Sequence, residues 1–179
     1  MKRKTIFNVF MFMTMMMITS VCSAMMPVRV CDYGSDGFYY RYNQIAEEMN
    51  LKNVMMNKMP YMDNSNENYD TYIATCGPAI QGTVISLSVN KVGYVSRIMV
   101  MSKANDTIAE KNLGDTLVII LALIGLTRAE MEYFIFSWQD ETDNAVHWCE
   151  SARRYIIVND GLNSNQNTRV VRISAGIDS

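Results

Sequence analysis

The stretch "TVISLSVNKVGYVSRIMVMS", residues 83–102, decides the fold because it predicts a β-hairpin. In its first half apolar and polar residues alternate, which places Ile85, Leu87 and Val89 on one side. Alternation with a period of two is typical of a strand that buries one face. Residues 90–93, "NKVG", have turn chemistry, and the second half is again rich in β-forming residues. We therefore expect two antiparallel strands joined by a tight turn.

Further strands are predicted on both sides of this hairpin. Residues 69–76 and 168–175 have the composition of strands, and residues 146–158 are expected to form one strand with a bulge near Ser151. Residues 59–68 are polar and rich in asparagine, so we expect a loop there.

Three helices are predicted from apolar spacing and from start signals. Thr107 and Glu110 have the spacing of a capping box, and so do Thr127 and Glu130. A strongly apolar run follows the first of these boxes, so that helix is expected to be the most buried element. An earlier amphipathic helix is indicated by apolar residues at helical spacing: Phe38, Tyr42, Ile45 and Met49.

These elements predict an α+β fold with the order α-β-β-β-α-α-β-β. Consecutive strands joined by tight turns favour an antiparallel sheet, here of about five strands, with the helices packed on one face. The sequence has no internal repeat and no linker composition, so residues 25–179 are expected to form a single domain.

Residues 1–24 have the parts of a secretory signal peptide. Lys2, Arg3 and Lys4 form a basic start, an apolar run of about 16 residues follows, and small residues precede a cleavage site after Ala24. The run is shorter than the roughly 20 residues of a spanning helix. We therefore expect a secreted or periplasmic protein of the cell envelope. An uncleaved membrane anchor and a lipid anchor at Cys22 are the alternatives.

The charge of the chain argues against nucleic acid as a partner. The net charge is −2 at pH 7, and it becomes more negative once the basic start is removed. The chain has no block of basic residues, whereas proteins that bind nucleic acid usually carry a basic patch.

The only histidine, His147, lies two residues from Cys149. On a strand both side chains point to one face with their Cα atoms about 6.6 Å apart, too far for an easy thiol–imidazole hydrogen bond. We therefore predict no catalytic residue and no enzyme activity. Export makes a disulfide plausible, and we predict the pair Cys76–Cys149 with Cys31 left over.

Two patterns in the sequence resemble metal-binding motifs, but neither predicts a site. Residues 32–37, "DYGSDG", half resemble a calcium loop, but Gly34 stands where that loop needs an oxygen ligand and Asn43 stands where it needs a glutamate. A run of methionines offers soft ligands for copper, although methionine also fills gaps in cores: Met49, Met55, Met56, Met59 and Met62. We predict no metal and no cofactor.

Tyrosines near the first helix form the candidate binding residues: Tyr33, Tyr39, Tyr40 and Tyr61. Tyrosine combines apolar area with one polar tip, which suits contact surfaces. With no catalytic motif in view, the sequence favours a non-catalytic interaction module for another envelope or extracellular protein, or a peptide. The alternative is an exported protein that handles thiols or a metal such as copper or zinc.

Overall fold

The computed structural model describes residues 29–139, 145–158 and 167–176. Within them the strands form one antiparallel sheet in the order β1-β2-β3-β4-β7-β6-β5. The elements are α1 (Ser35–Glu48), a 3-10 turn (Lys52–Val54), β1 (Tyr61–Ser65), β2 (Tyr69–Cys76), β3 (Thr83–Asn90), β4 (Val95–Lys103), α2 (Thr107–Leu123), α3 (Arg128–Gln139), β5 (Ala145–Cys149), β6 (Arg154–Val158) and β7 (Thr168–Ser174). The predicted α+β class with an antiparallel sheet is confirmed. The predicted signal peptide lies outside the described residues.

The sheet has seven strands where the sequence predicted about five. One additional strand is β1, which lies in the segment predicted to be a loop. All five of its residues are exposed, so no buried face leaves an alternating pattern in the sequence. The other arises because residues 145–158 form a hairpin instead of one bulged strand, with Cys149 opposite Arg154. Arg153 turns the chain there with φ 53°.

The predicted hairpin over residues 83–102 is confirmed as the antiparallel pair β3–β4. Its turn is closed by the N–H of Gly93, which donates to the carbonyl of Asn90 at 2.8 Å. Gly93 has φ 96°, a conformation that glycine adopts without a steric penalty. Ile85, Leu87 and Val89 are buried, as their alternation predicts.

The last strand lies in the middle of the sheet. β7 pairs with β4 on one side and with β6 on the other. Ile173 therefore stands between Ile98 and Ile156 in one row, and all three side chains are fully buried. This row joins the N-terminal hairpin to the C-terminal hairpin in one core.

The second helix begins at Thr107, but Asp106 is its N-cap. The Asp106 carboxylate accepts hydrogen bonds from the N–H groups of Ile108 and Ala109, at 3.1 and 3.2 Å. Asp106 has the extended backbone that an N-cap requires. The capping box predicted at Thr107 and Glu110 is therefore corrected by one residue.

The capping box predicted for the third helix is confirmed. The N–H of Glu130 donates to the Thr127 hydroxyl at 3.3 Å, and the N–H of Thr127 donates to the Glu130 carboxylate at 3.0 Å. This reciprocal pair satisfies backbone donors that the first turn of α3 leaves unpaired.

All three helices pack on the same face of the sheet. The Ser102 hydroxyl of β4 donates to the Ala109 carbonyl of α2 at 3.1 Å, and Phe134 of α3 meets the His147 ring of β5 edge-on. The Tyr42 side chain of α1 is hydrogen-bonded to Cys76 of β2. Among the described helices, none is both long enough and apolar enough to cross a membrane.

Candidate functional site

The face of the sheet turned away from the three helices is the outer face. Residues there alternate with the core residues of each strand, so they lie opposite the helix layer. No described helix covers this face. Its apolar and aromatic members come from all seven strands and include Tyr61, Ile73, Val84, Met99, Met101, Val146, Trp148, Tyr155, Ile157 and Val170, of which Ile157 is buried.

The charged strand residues on the outer face of β2 to β7 are basic, and the Glu150 carboxylate just after β5 accepts a hydrogen bond from the Trp148 indole N–H at 2.7 Å. Arg97, Lys103 and Arg172 occupy outward positions on β4 and β7, whereas no described strand from β2 to β7 places a carboxylate there. The face therefore combines apolar contact area with charged groups of both signs.

One end of the sheet is the edge strand β5, which pairs with β6 and with no other described strand. Its sequence, "AVHWC", contains neither proline nor a charged residue, and its register is regular. Val146 and Trp148 point to the outer face and are 50% and 47% exposed. The Trp148 ring lies 4.8 Å from that of Tyr155. An apolar edge without protective features is a template for another strand.

The opposite edge, β1, is different. Pro60 precedes the strand, Asp63 lies within it, and the register shifts between Met62 and Asn64. Proline, charge and a bulge are the features with which proteins block pairing at an exposed edge. Of the two edges, β5 is therefore the one open to strand addition.

His147 and Cys149 face the helix layer from β5 and do not form a nucleophile–base pair. The His147 ring packs against Phe134, with 5.7 Å between ring centroids. Burial, reinforced by the negative charge of Glu130, raises the pKa of the Cys149 thiol to about 11. A thiol that stays protonated at neutral pH is a poor nucleophile. His147 and Cys149 therefore act as packing residues where the edge strand meets the helix layer.

The predicted disulfide between Cys76 and Cys149 is wrong. Cys31, Cys76 and Cys149 are all free thiols. Cys76 ends β2 and Cys149 ends β5, so four strands lie between them. Five steps of about 4.8 Å separate the two strands by about 24 Å, whereas a disulfide needs Cα atoms within about 7 Å.

Burial also governs the other two thiols. It raises the pKa of Cys76 to about 12 and that of Cys31 to about 11. Sequence analysis placed these cysteines on the correct elements but had no access to the order of the strands. All three therefore act as small apolar side chains in the core.

The four candidate tyrosines are divided between two surfaces. Tyr33 lies against Gly37 at the start of α1, and Tyr39 and Tyr40 meet edge-on one turn later, with ring centroids 5.3 Å apart. Tyr61 lies on β1 on the outer face, opposite Ile73. A single patch of all four tyrosines therefore does not form.

The structure does not bring the residues of either metal-like pattern together as a set of ligands. Asp32 forms an ion pair with Arg29 at 3.0 Å. Met56 is buried in the core while Met59 and Met62 are exposed, so the methionine run does not converge. Among the described residues, no group of three or more His, Cys, Asp or Glu side chains is placed to hold a metal ion.

Comparison of the chain with protein-family models, with curated proteins and with solved structures produced no match. The residues that sequence analysis missed are Val146, Trp148 and Tyr155. Their alternation with His147 and Cys149 was visible, but the sequence did not show that β5 would lie at an edge.

Proposed function

We propose that this protein is an exported, non-catalytic binding module that adds an extended segment of a partner protein to edge β5. The single observation that carries the proposal is the unprotected β5 edge, with Val146 and Trp148 half exposed beside it. The partner is an envelope or extracellular protein, or a peptide derived from one, because the chain begins with the pattern of a secretory signal.

The proposed contact has two parts. Backbone N–H and C=O groups on the free side of β5 pair with the incoming strand and provide affinity that does not depend on sequence. Val146 and Trp148 then contact alternate side chains of that strand on the outer face, which provides specificity.

A binding role without catalysis is supported by the state of the potential nucleophiles. Each of the three thiols is buried and has a raised pKa. The imidazole of His147 packs on an aromatic ring of the helix layer. The His147 and Cys149 side chains point to the helix layer, on the opposite face of β5 from Val146 and Trp148.

The test is selection of peptides from a displayed random library on the protein purified after export. We expect extended peptides rich in apolar residues, with slower amide exchange in residues 145–149 when they bind. Trp148→Lys and Val146→Lys should weaken binding at least tenfold, or about 1.4 kcal/mol, because a lysine on the edge strand opposes pairing.

The matched control is Val92→Lys, which places the same charge on a 67% exposed valine in the β3–β4 turn. It should leave peptide affinity unchanged. Failure to select any peptide, or equal affinity of the selected peptides for wild type and Trp148→Lys, would overturn the proposal. Melting temperatures of all variants show whether a lost affinity reflects unfolding.

A further inference from the structure

A cleft of about 610 Å³ lies on the solvent side of the helix layer, away from the outer face of the sheet. Its floor and one wall are α2 residues at helical spacing, including Gly114 and Val118, and Ile135 of α3 lies on the other side. Arg169 of β7 closes one end. The volume falls within the range of about 300–1,000 Å³ that is usual for small-molecule sites.

Gly114 makes this cleft deeper than the fold requires. It lies in the middle of α2 and does not have a positive φ, so its backbone does not need glycine. A Cβ at this position would have no heavy atom within 4 Å among the described residues outside the helix's own local backbone. Glycine inside a helix costs about 0.5–1 kcal/mol relative to alanine. Neither conformation nor packing accounts for that cost, whereas close approach of a ligand would.

Both signs of charge line the cleft. Glu110 and Arg169 form one ion pair at 3.7 Å, and Lys111 and Asp115 form another at 2.5 Å. The side-chain amide of Asn53 also donates to Asp115, at 3.3 Å. The remaining lining residues are Thr107, Gly114, Val118 and Ile135, of which only Thr107 has a polar side chain.

We propose that the cleft binds a small zwitterion, namely an α-amino acid with an apolar side chain. Its ammonium group is attracted by Glu110 and Asp115, its carboxylate is attracted by Arg169 and Lys111, and its side chain lies over Gly114. A polyanion would meet two carboxylates and a polycation would meet two cations, so a ligand with a single sign of charge is repelled by half of the lining. This site is independent of the proposed peptide-binding edge.

The test is a two-dimensional amide NMR titration of the protein purified after export, with free L-leucine as the probe. We expect saturable shifts at Lys111, Gly114 and Arg169, with a Kd of about 1 mM or tighter. N-acetyl-leucine amide, which lacks both charges, should bind at least tenfold more weakly, and so should free aspartate and free lysine.

Two variants and a matched control separate binding from folding. Gly114→Leu should abolish the shifts while leaving the melting temperature unchanged or higher, because leucine favours the helix and meets open space. Arg169→Gln should weaken leucine binding although it adds no side-chain volume to the cleft. Ala129→Leu, which adds the same side chain to an exposed position of α3 outside the cleft, should bind as wild type does.

The proposal is overturned if leucine produces no saturable shifts, if Gly114→Leu binds it as well as wild type, or if the uncharged derivative binds equally. Loss of leucine binding in Ala129→Leu would also overturn it. Peptide binding at β5 is measured separately, so failure at one site does not count against the other.

Discussion

The carboxylate of Glu130, at the start of α3, accepts hydrogen bonds from both the hydroxyl and the backbone N–H of Ser151 in the β5–β6 turn. The same carboxylate accepts from the N–H and the hydroxyl of Thr127. One side chain therefore caps the helix and holds the hairpin that forms the candidate binding edge. These hydrogen bonds to the charged form lower the pKa of Glu130 to about 2.

The Glu130 contact should make stability depend on pH. Because its pKa is lowered in the folded state, the stabilisation is fully present above the ordinary value of 4.5 and is lost as pH falls through about 2. Urea unfolding of wild type and Glu130→Gln should therefore differ at pH 7 and converge at acid pH. Glu132→Gln, which removes the exposed ion pair with Arg128 on the same helix, is the control. An undiminished difference at pH 2 would contradict this assignment.

Tyr42→Phe should destabilise the protein by about 1–3 kcal/mol. The Tyr42 hydroxyl is buried and donates to the Val54 carbonyl at 2.9 Å, which fastens α1 to the 3-10 turn. Removal of the hydroxyl leaves that carbonyl without this donor. Tyr40→Phe removes a hydroxyl from a 64% exposed ring on the same helix and should be neutral. Chemical denaturation measures both, and equal effects would show that the buried bond contributes nothing.

Ile98→Ala should destabilise the protein by about 2–5 kcal/mol. Ile98 lies between Leu87 and Ile173 in the central row of the sheet, and the deletion leaves a cavity where three strands meet. Ile80→Ala is the matched control, because Ile80 is 89% exposed in the β2–β3 connection. Thermal unfolding of the two variants should separate them clearly, and a similar melting temperature for both would contradict the central position of the row.

The three buried thiols should react with iodoacetamide only after the protein is unfolded. They should then react without added reductant. Each is free, and burial raises the pKa of each. Peptide mapping of the alkylated protein should find Cys31, Cys76 and Cys149 modified in full. A protein that needs reduction before two of them react would contain a disulfide, contrary to the strand order.

Local features of the fold were predictable because they depend on residues close together in the chain. The alternation around Leu87 and the turn at Gly93 specify the β3–β4 hairpin without help from other segments. Thr127 and Glu130 likewise specify a helix start that needs nothing beyond its first turn.

The candidate site was less accessible to prediction. Val146, Trp148 and Tyr155 have the spacing of strand residues, but the hairpin turn at Arg153 was hidden because residues 150–153, "ESAR", contain no glycine, proline, asparagine or aspartate to signal a turn. The strand β1 was missed for the opposite reason, because an exposed edge strand has no buried face to select apolar residues.

The sequence by itself determined the class of the fold, its main hairpin and the start of its third helix, since each arises from neighbours within a few residues. Only the tertiary structure decided that β7 enters between β4 and β6, and so places β5 at an edge and Cys149 far from Cys76. The physical reason is that each strand takes the position in the sheet where its buried side chains complete the core beneath the three helices. That outcome depends on contacts such as Ile98 with Ile173, which join segments far apart in the chain.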